Sequence, residues 1–546
     1  MHRLSKRGAA AAEGIVLYAL ALLRILYYGF RYFPQLDDYI QLYNYSAGES
    51  IAGRWDILLE QGLLASRPLA LFNDLMLWSA FWGCLIAAVL LITLLYVLSA
   101  MLLRRVFERY FSCGWIFYAV YLLLPLNMEG TYWLAASTRI VCGLFWSALS
   151  AFLLLRWCDA GKRSCAALTL LTQLIAFCHY EQALVFSFTL NLLLAFLELR
   201  RTRSRRTLLA LGGLGCAALY FGVTSLFAGH SVYASRLELA LPVSAYYFDF
   251  FLPEILEQLR SVFVGAASHT AWWGFKRGWG ILTGDGAWGY LLLMTLLAVC
   301  AGALSLARPS DEGNSPLWKQ LLFALLLSAA PVSIFFVIAN PWFSLRGAVF
   351  ALPGIALGID GLTNRLLLLL PRSAARAASL TLSTLLCFGF VCASVAELHD
   401  YRQTTLDDQR VCAAIAAACP PKTTALLFNI EPTYLSVQSY PWHEHIHGVT
   451  ESPWALQGAL NCLYGGGKST YRVSPLPLRD TLYKAWNYDA MRPDAFERFY
   501  YYNPERDVLE EVFIREIGEG CYDILSAEGV RLFGVREENR CGYYVP

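Results

Sequence analysis

LMLWSAFWGCLIAAVLLITLLYVLSAMLLRR, residues 75–105, carries no charged side chain from Leu75 to Leu103 and stops on Arg104 and Arg105. A helix needs about 20 residues to cross the roughly 30 Å hydrocarbon core of a bilayer, so this stretch is long enough to span one. Comparable apolar runs lie near residues 11–31, 111–126, 140–156, 165–179, 182–199, 207–228, 287–307, 317–339, 347–363 and 378–396. Together they predict an α-helical polytopic membrane protein of about 11 transmembrane helices, of which those at 111–126 and 165–179 are short for a span.

Composition agrees. Hydrophobic residues make up 57% of the 546 and charged residues 15%, against about 25% charged in ordinary soluble domains. A soluble enzyme is excluded, and so is a disordered chain. The net charge of +2 offers no basic surface for nucleic acid. The charges are uneven: residues 397–546 hold 14 Lys/Arg against 21 Asp/Glu, a net −7, which leaves +9 for the rest. The chain therefore divides into a membrane domain, 1–396, and an acidic soluble domain, 397–546.

Cytoplasmic loops collect Lys and Arg. Arg3, Lys6 and Arg7, then Arg104, Arg105 and Arg109, then Arg156, Lys162 and Arg163 occupy one alternating set of connections, as do RRTRSRR (200–206), Arg308 with Lys319, and Arg365, Arg372 and Arg376. That set is read as cytoplasmic. An odd number of spans then places the N-terminus in the cytoplasm and the C-terminal domain outside it, in a multi-pass cell-membrane protein. The basic start followed by an apolar run is kept as the first span, because no small-residue cleavage site precedes FPQLDD. The long outer segments are 32–74, 229–286 and the tail.

The tail reads as an α/β unit. A helix over 407–419 is stopped by Pro420 and Pro421, TTALLFNI is a buried strand, SPWALQGALNCLY is a second helix, 509–518 is a further helix and RLFGV a strand. Ten of the 15 cysteines lie in or beside spans, as small buried hydrophobes. Of the remaining five, Cys521 and Cys541 are the better candidates for a bridge. Cys412 and Cys419 sit about 10 Å apart along one helix, too far for a disulfide.

The outer connections hold most of the chemistry. RYFPQLDDYIQLYNYS follows the first span with Asp37 and Asp38 adjacent. As a solvated loop this pair needs no function; as a carboxylate at the mouth of a membrane cavity it is a general base. ASRPLALFND brings Arg67 and Pro68 back into the membrane, NMEGTYWLAASTR holds Glu129 and Arg139, FCHYEQA holds His179 and Glu181, and NPWFSLRGAVFALPG holds Arg346. An arginine there either grips a phosphate through two N–H groups or anchors a helix at the interface. His179 and Glu181 either shape an acceptor site or bind a divalent ion, or simply link two helices. Tyr233, Trp272, Trp273 and Trp279 of the 229–286 loop either stack on sugars or sit at the lipid interface. In WHEHIHG (442–448), His443, His445 and His447 fall on one side of an extended chain, as metal ligands or as loop histidines.

This layout resembles the GT-C superfamily of multi-spanning glycosyltransferases that use polyprenyl-phosphate sugars. The resemblance rests on an acidic pair in the first outer loop (Asp37/Asp38), a Pro-containing re-entry (Arg67-Pro68), a second acidic stretch before the fourth span (Glu129 to Arg139), and an Arg with a Pro two turns later before a late span (Arg346, Pro353). It covers residues 1–396 by layout and departs from the group at HYE (179–181), where many relatives have a Lys. It implies transfer of a hexosyl or pentosyl group from a polyprenyl-phosphate donor to a glycan, lipid or protein acceptor of the cell envelope, with inversion. In that reading Asp38, then Asp37, is the base; Arg346, then Arg67 and Arg139, holds the donor phosphate; Glu129, His179, Glu181 and Tyr233 serve the acceptor side. The competing readings are a transporter or flippase of lipid-linked oligosaccharide and a polymerase or ligase of surface glycan. A transporter predicts two repeated halves with broken helices, and no repeat is visible.

Overall fold

The structure is a computed structural model that describes residues 6–47, 49–228, 239–306, 316–339, 341–433, 446–465, 471–478, 495–518, 520–536 and 542–544. The chain forms two compact units, one of Met1–Tyr32 with Trp55–Leu398 and the other of Phe33–Arg54 with His399–Pro546. The second unit thus takes in the Asp37/Asp38 stretch as well as the tail.

The first unit is helical and membrane-embedded. Among the described residues eight helices are long and apolar enough to cross a bilayer: Ala10–Tyr27, Trp78–Phe107, Leu134–Ala160, Glu181–Thr202, Arg205–Ser225, Trp288–Ser305, Leu317–Phe336 and Arg372–Ala418. Arg163–Phe177 is apolar but shorter, and Leu352–Leu367 has 16 residues. The stretch expected as a span at 111–126 is broken into Trp115–Tyr118, a wide turn Ala119–Leu123, Pro125–Asn127 and Met128–Thr131. Pro125 interrupts the backbone ladder there, and the freed groups need partners inside the protein. Tyr96 Oη donates to Tyr121 O at 2.5 Å and Asn127 Nδ2 to Leu122 O at 3.0 Å. The start of this broken stretch is capped from a distant helix: Asp360 accepts from Gly114 N at 2.6 Å and Phe117 N at 3.1 Å. Nearly every residue from Trp115 to Leu144 is buried, so an irregular segment runs where lipid cannot reach it, the condition under which membranes tolerate one.

The last span and the expected tail helix are one continuous helix, Arg372–Ala418, of 47 residues. No proline occurs between Arg372 and Ala418, and Pro420 ends it. In the second unit, seven strands follow: β1 (Thr424–Phe428), β2 (Arg472–Leu476), β3 (Arg498–Asn503), β4 (Val508–Gly518), β5 (Cys521–Leu525), β6 (Arg531–Arg536) and β7 (Gly542–Tyr544). Their order is β2-β1-β3-β4-β5-β6-β7. β1 lies parallel to β2 and β3, and the later neighbours are antiparallel. The core of the sheet is Leu426, Phe428, Leu476, Val512, Ile524 and Val535.

The helix expected over 509–518 is a strand. Its glutamates favour helix in isolation, but Leu509 and Val512 are buried while Glu510 and Glu511 are exposed, and β4 pairs on both sides, with β3 and β5. Tertiary pairing outweighs local propensity. The helix expected from SPWALQGALNCLY is present as Pro453–Leu463, with proline in the first turn and Ser452 Oγ accepting from Ala455 N at 3.4 Å. It packs on the turn Tyr39–Asn44. Gly458 allows this approach, since a Cβ there would lie 2.7 Å from Ile40 Cδ1. Among the described residues no disulfide joins two cysteines; Cys541 lies outside them.

Candidate functional site

In the first unit three arginine–carboxylate pairs lie on the connections singled out by the sequence. At the first, Pro68 opens a helix to Met76 whose leading N–H groups, Leu69 and Ala70, donate to Cys178 O at 3.1 and 3.3 Å. That docking brings Arg67 to the 178–181 junction. Its Nε lies 3.0 Å from both oxygens of Glu181, and its guanidinium sits 4.3 Å over the Tyr180 ring. Tyr180 in turn stacks on Phe350, 5.8 Å between centroids at 5°.

The second pair is buried. Asp74, which sequence reasoning did not single out, accepts from Thr138 Oγ1 at 3.0 Å and from Arg139 Nη2 at 3.1 Å. Asp74 is 0% exposed and Arg139 6%. A guanidinium held this way serves as a structural tie rather than an open ligand. The signal for it was seven residues past Arg67, on the same short helix.

The third pair differs. Glu129 is fully buried on the turn Met128–Thr131, which packs on Leu345–Ala348. It accepts from Arg346 N at 2.8 Å and Ser344 Oγ at 3.1 Å, with Arg346 Nε 3.5 Å from its other oxygen. The Arg346 side chain lies 5.4 Å from the Trp133 ring centroid and is 30% exposed. Among the described residues its guanidinium makes no hydrogen bond. Gln182 ties this stretch to the 178–181 junction, donating to Gly347 O at 2.8 Å and Pro331 O at 3.1 Å. Arg24, inside the first span, points at the same segment, with Nη2 3.5 Å from Thr131 Oγ1.

His179 is buried at the junction between two helices, with Nδ1 2.8 Å from Ile175 O.

In the second unit Asp37 and Asp38 have separate surroundings. Asp38 is buried, and its Oδ2 accepts from Gln35 N at 2.9 Å, which closes the turn onto itself. Leu36, between them, has φ 23°, a conformation costly for a leucine. Asp37 is only half-buried, and its Oδ1 accepts from the Trp454 indole N–H at 3.4 Å. Elsewhere in this unit Asp408, also missed in the sequence, accepts from Thr433 Oγ1 at 2.6 Å and Val449 N at 3.1 Å. His447 Nδ1 lies 3.0 Å from Glu451 Oε2.

Tyr233, His443 and His445 lie outside the described residues. Among the described residues no group of three or more His, Cys, Asp or Glu could hold a metal ion. No protein-family model matches the chain, and no curated protein matches it in sequence.

Proposed function

We propose that the chain is an integral-membrane glycosyltransferase that moves a sugar from a polyprenyl-phosphate donor to a cell-envelope acceptor on the outer face of the membrane. The observation that carries this reading is Arg346: a guanidinium on an aromatic face, 30% exposed, whose backbone is fixed by the buried carboxylate of Glu129. A planar guanidinium held so is suited to a phosphate. The acidic pair and the Arg-Pro re-entry of the sequence support the same class.

In this reading the acceptor oxygen attacks the anomeric carbon as the bond from that carbon to the phosphate oxygen breaks, and polyprenyl phosphate leaves. The acceptor proton passes to an aspartate. Asp38 is the first choice of the sequence, but its carboxylate is buried and committed to Gln35 N. We therefore assign proton acceptance to Asp37 and shaping of the turn to Asp38. Charge growing on the phosphate is met by Arg346, with Arg67 behind it; Arg139 is a structural residue. Displacement in one step inverts the anomeric centre.

The test is transfer by the purified full chain in nanodiscs. Sugar should move from the polyprenyl-phosphate donor to envelope glycan and not from nucleotide sugars, and turnover with a nucleotide sugar and no lipid would end the proposal.

A further inference from the structure

Residues 245–284 form one continuous helix in which α turns alternate with the wider turns Tyr247–Phe251, Ser261–Ala266 and His269–Trp273. An α-helix has fewer than four residues per turn and a π turn more, so the mixture keeps residues four apart on one side. Tyr247, Phe251 and Ile255, then Val262, Ala266, Thr270, Gly274, Gly278 and Leu282, are the buried side. It packs closely: a Cβ on Gly278 would collide with the Cys392 carbonyl, and one on Gly274 would lie 3.3 Å from Ala393 Cβ.

Away from that side the helix is divided. Phe248, Leu256, Val264 and Trp272 follow at intervals of eight in one exposed row, with Trp273 and Trp279 exposed beside its end. Lys276 continues the row and lies 4.9 and 4.6 Å from the Trp272 and Trp273 ring centroids. The neighbouring row has Asp249 and Glu257, both exposed, Ser261 and His269, and ends on the exposed Trp273. Arg260 falls on the apolar row itself, four residues from Leu256 and from Val264, and donates back to Glu257 at 3.1 Å.

The C-terminal end of this helix is tied to the ends of two spans. Tyr27, the last residue of Ala10–Tyr27, donates to Asp285 at 2.6 Å. Tyr290, at the start of Trp288–Ser305, donates to Leu23 O at 3.0 Å and packs on Tyr27. A charged residue where two spans end marks the level of the lipid–water boundary. From there the helix runs for about 60 Å at 1.5 Å per residue. Asp249, Glu254, Glu257 and Arg260 forbid a crossing, and the Phe, Leu, Val and Trp row disfavours bulk water.

We propose that the 245–284 helix lies along the lipid–water interface, with the Phe248–Trp272 row immersed among acyl chains, the Asp249–Glu257 row in water, and Lys276 at headgroup phosphates. The occupant of the exposed apolar row is the bilayer itself. An interfacial helix of this kind buries its apolar face about 5–10 Å into the headgroup and acyl boundary. This placement does not depend on the enzymatic reading.

The experiment is fluorescence quenching of the full chain in liposomes, comparing wild type with a Trp272→Phe variant so that the difference emission reports this ring. Lipids brominated near the carbonyl end of the acyl chain should remove most of that emission, while deeply brominated lipids and aqueous acrylamide remove little. Strong quenching by acrylamide with none by either lipid would mean that the ring faces water or a sugar, and the proposal falls. Quenching by none of the three would mean that protein covers the row, which overturns it equally. A cysteine-specific nitroxide at Val264 should be accessible to oxygen and shielded from a water-soluble nickel complex, and one at Glu257 the reverse.

Discussion

The backbone N–H of Arg346 donates to Glu129 Oε2 at 2.8 Å while Nε of the same arginine lies 3.5 Å from Oε1, so one buried carboxylate holds both ends of one residue. Replacing Arg346 by Ala removes the guanidinium and should raise the donor KM roughly tenfold or more, since a hydrogen bond to a charged group is worth about 1.5–3 kcal/mol. Arg346→Lys restores charge without the fork and should recover only part. Glu129→Gln should weaken donor binding in the same direction by loosening the 344–346 stretch, with a smaller change in kcat. Unchanged donor affinity in Arg346→Ala would reduce that residue to a helix anchor.

Asp74 and Arg139 make the opposite case, a pair sealed from solvent. Asp74→Ala leaves a buried guanidinium without its carboxylate and should cost about 3–5 kcal/mol. Replacing both members by apolar residues of similar size should restore most of the loss. Thermal unfolding in detergent for the two singles and the double reads this directly.

Much of the membrane unit was legible because hydrophobic runs of span length are a long, redundant signal. What a run does not carry is where it breaks. The 111–126 stretch looked like a short span, yet Pro125 and the capping carboxylate of Asp360, more than 200 positions away, decide its path. Strand β4 was misread for the reverse reason, since Glu-rich sequence favours helix until two neighbours pair with it. In the site, the charged residues on the connections could be named from sequence, but not which carboxylate each arginine meets. Asp74 and Glu129 are each an isolated acid in the sequence, and only packing assigns one to Arg139 and the other to Arg346.

The basic connections predict a cytoplasmic N-terminus and an outer C-terminal domain. Single cysteines at Ser526 or Ser204, in a background without others, should label in intact cells with an impermeant reagent at Ser526 and not at Ser204. The inverse pattern would invert the orientation and move the acidic pair to the cytoplasmic side.

Asp37 and Asp38 are adjacent in sequence and differently placed, which makes them each other's control. Asp37 keeps a half-buried carboxylate against the Trp454 indole, and Asp38 spends one oxygen on Gln35 N inside the turn. Asparagine preserves size and acceptor oxygen at both positions but cannot take a proton. General-base catalysis contributes about 10²–10⁴ in rate, so Asp37→Asn should lose that factor in kcat with donor binding and Tm nearly unchanged. Asp38→Asn should lower Tm and reduce turnover less. The turn itself is held by Ile40 against Gly458, where a Cβ would sit 2.7 Å from Ile40 Cδ1. Gly458→Val should therefore displace the turn and depress turnover while both carboxylates remain. If Asp38→Asn instead loses the full factor and Asp37→Asn little, the buried aspartate is the base and must become exposed when substrate binds. If neither loses turnover, proton acceptance lies outside the pair, and Glu181 beside Arg67 is the next carboxylate to replace.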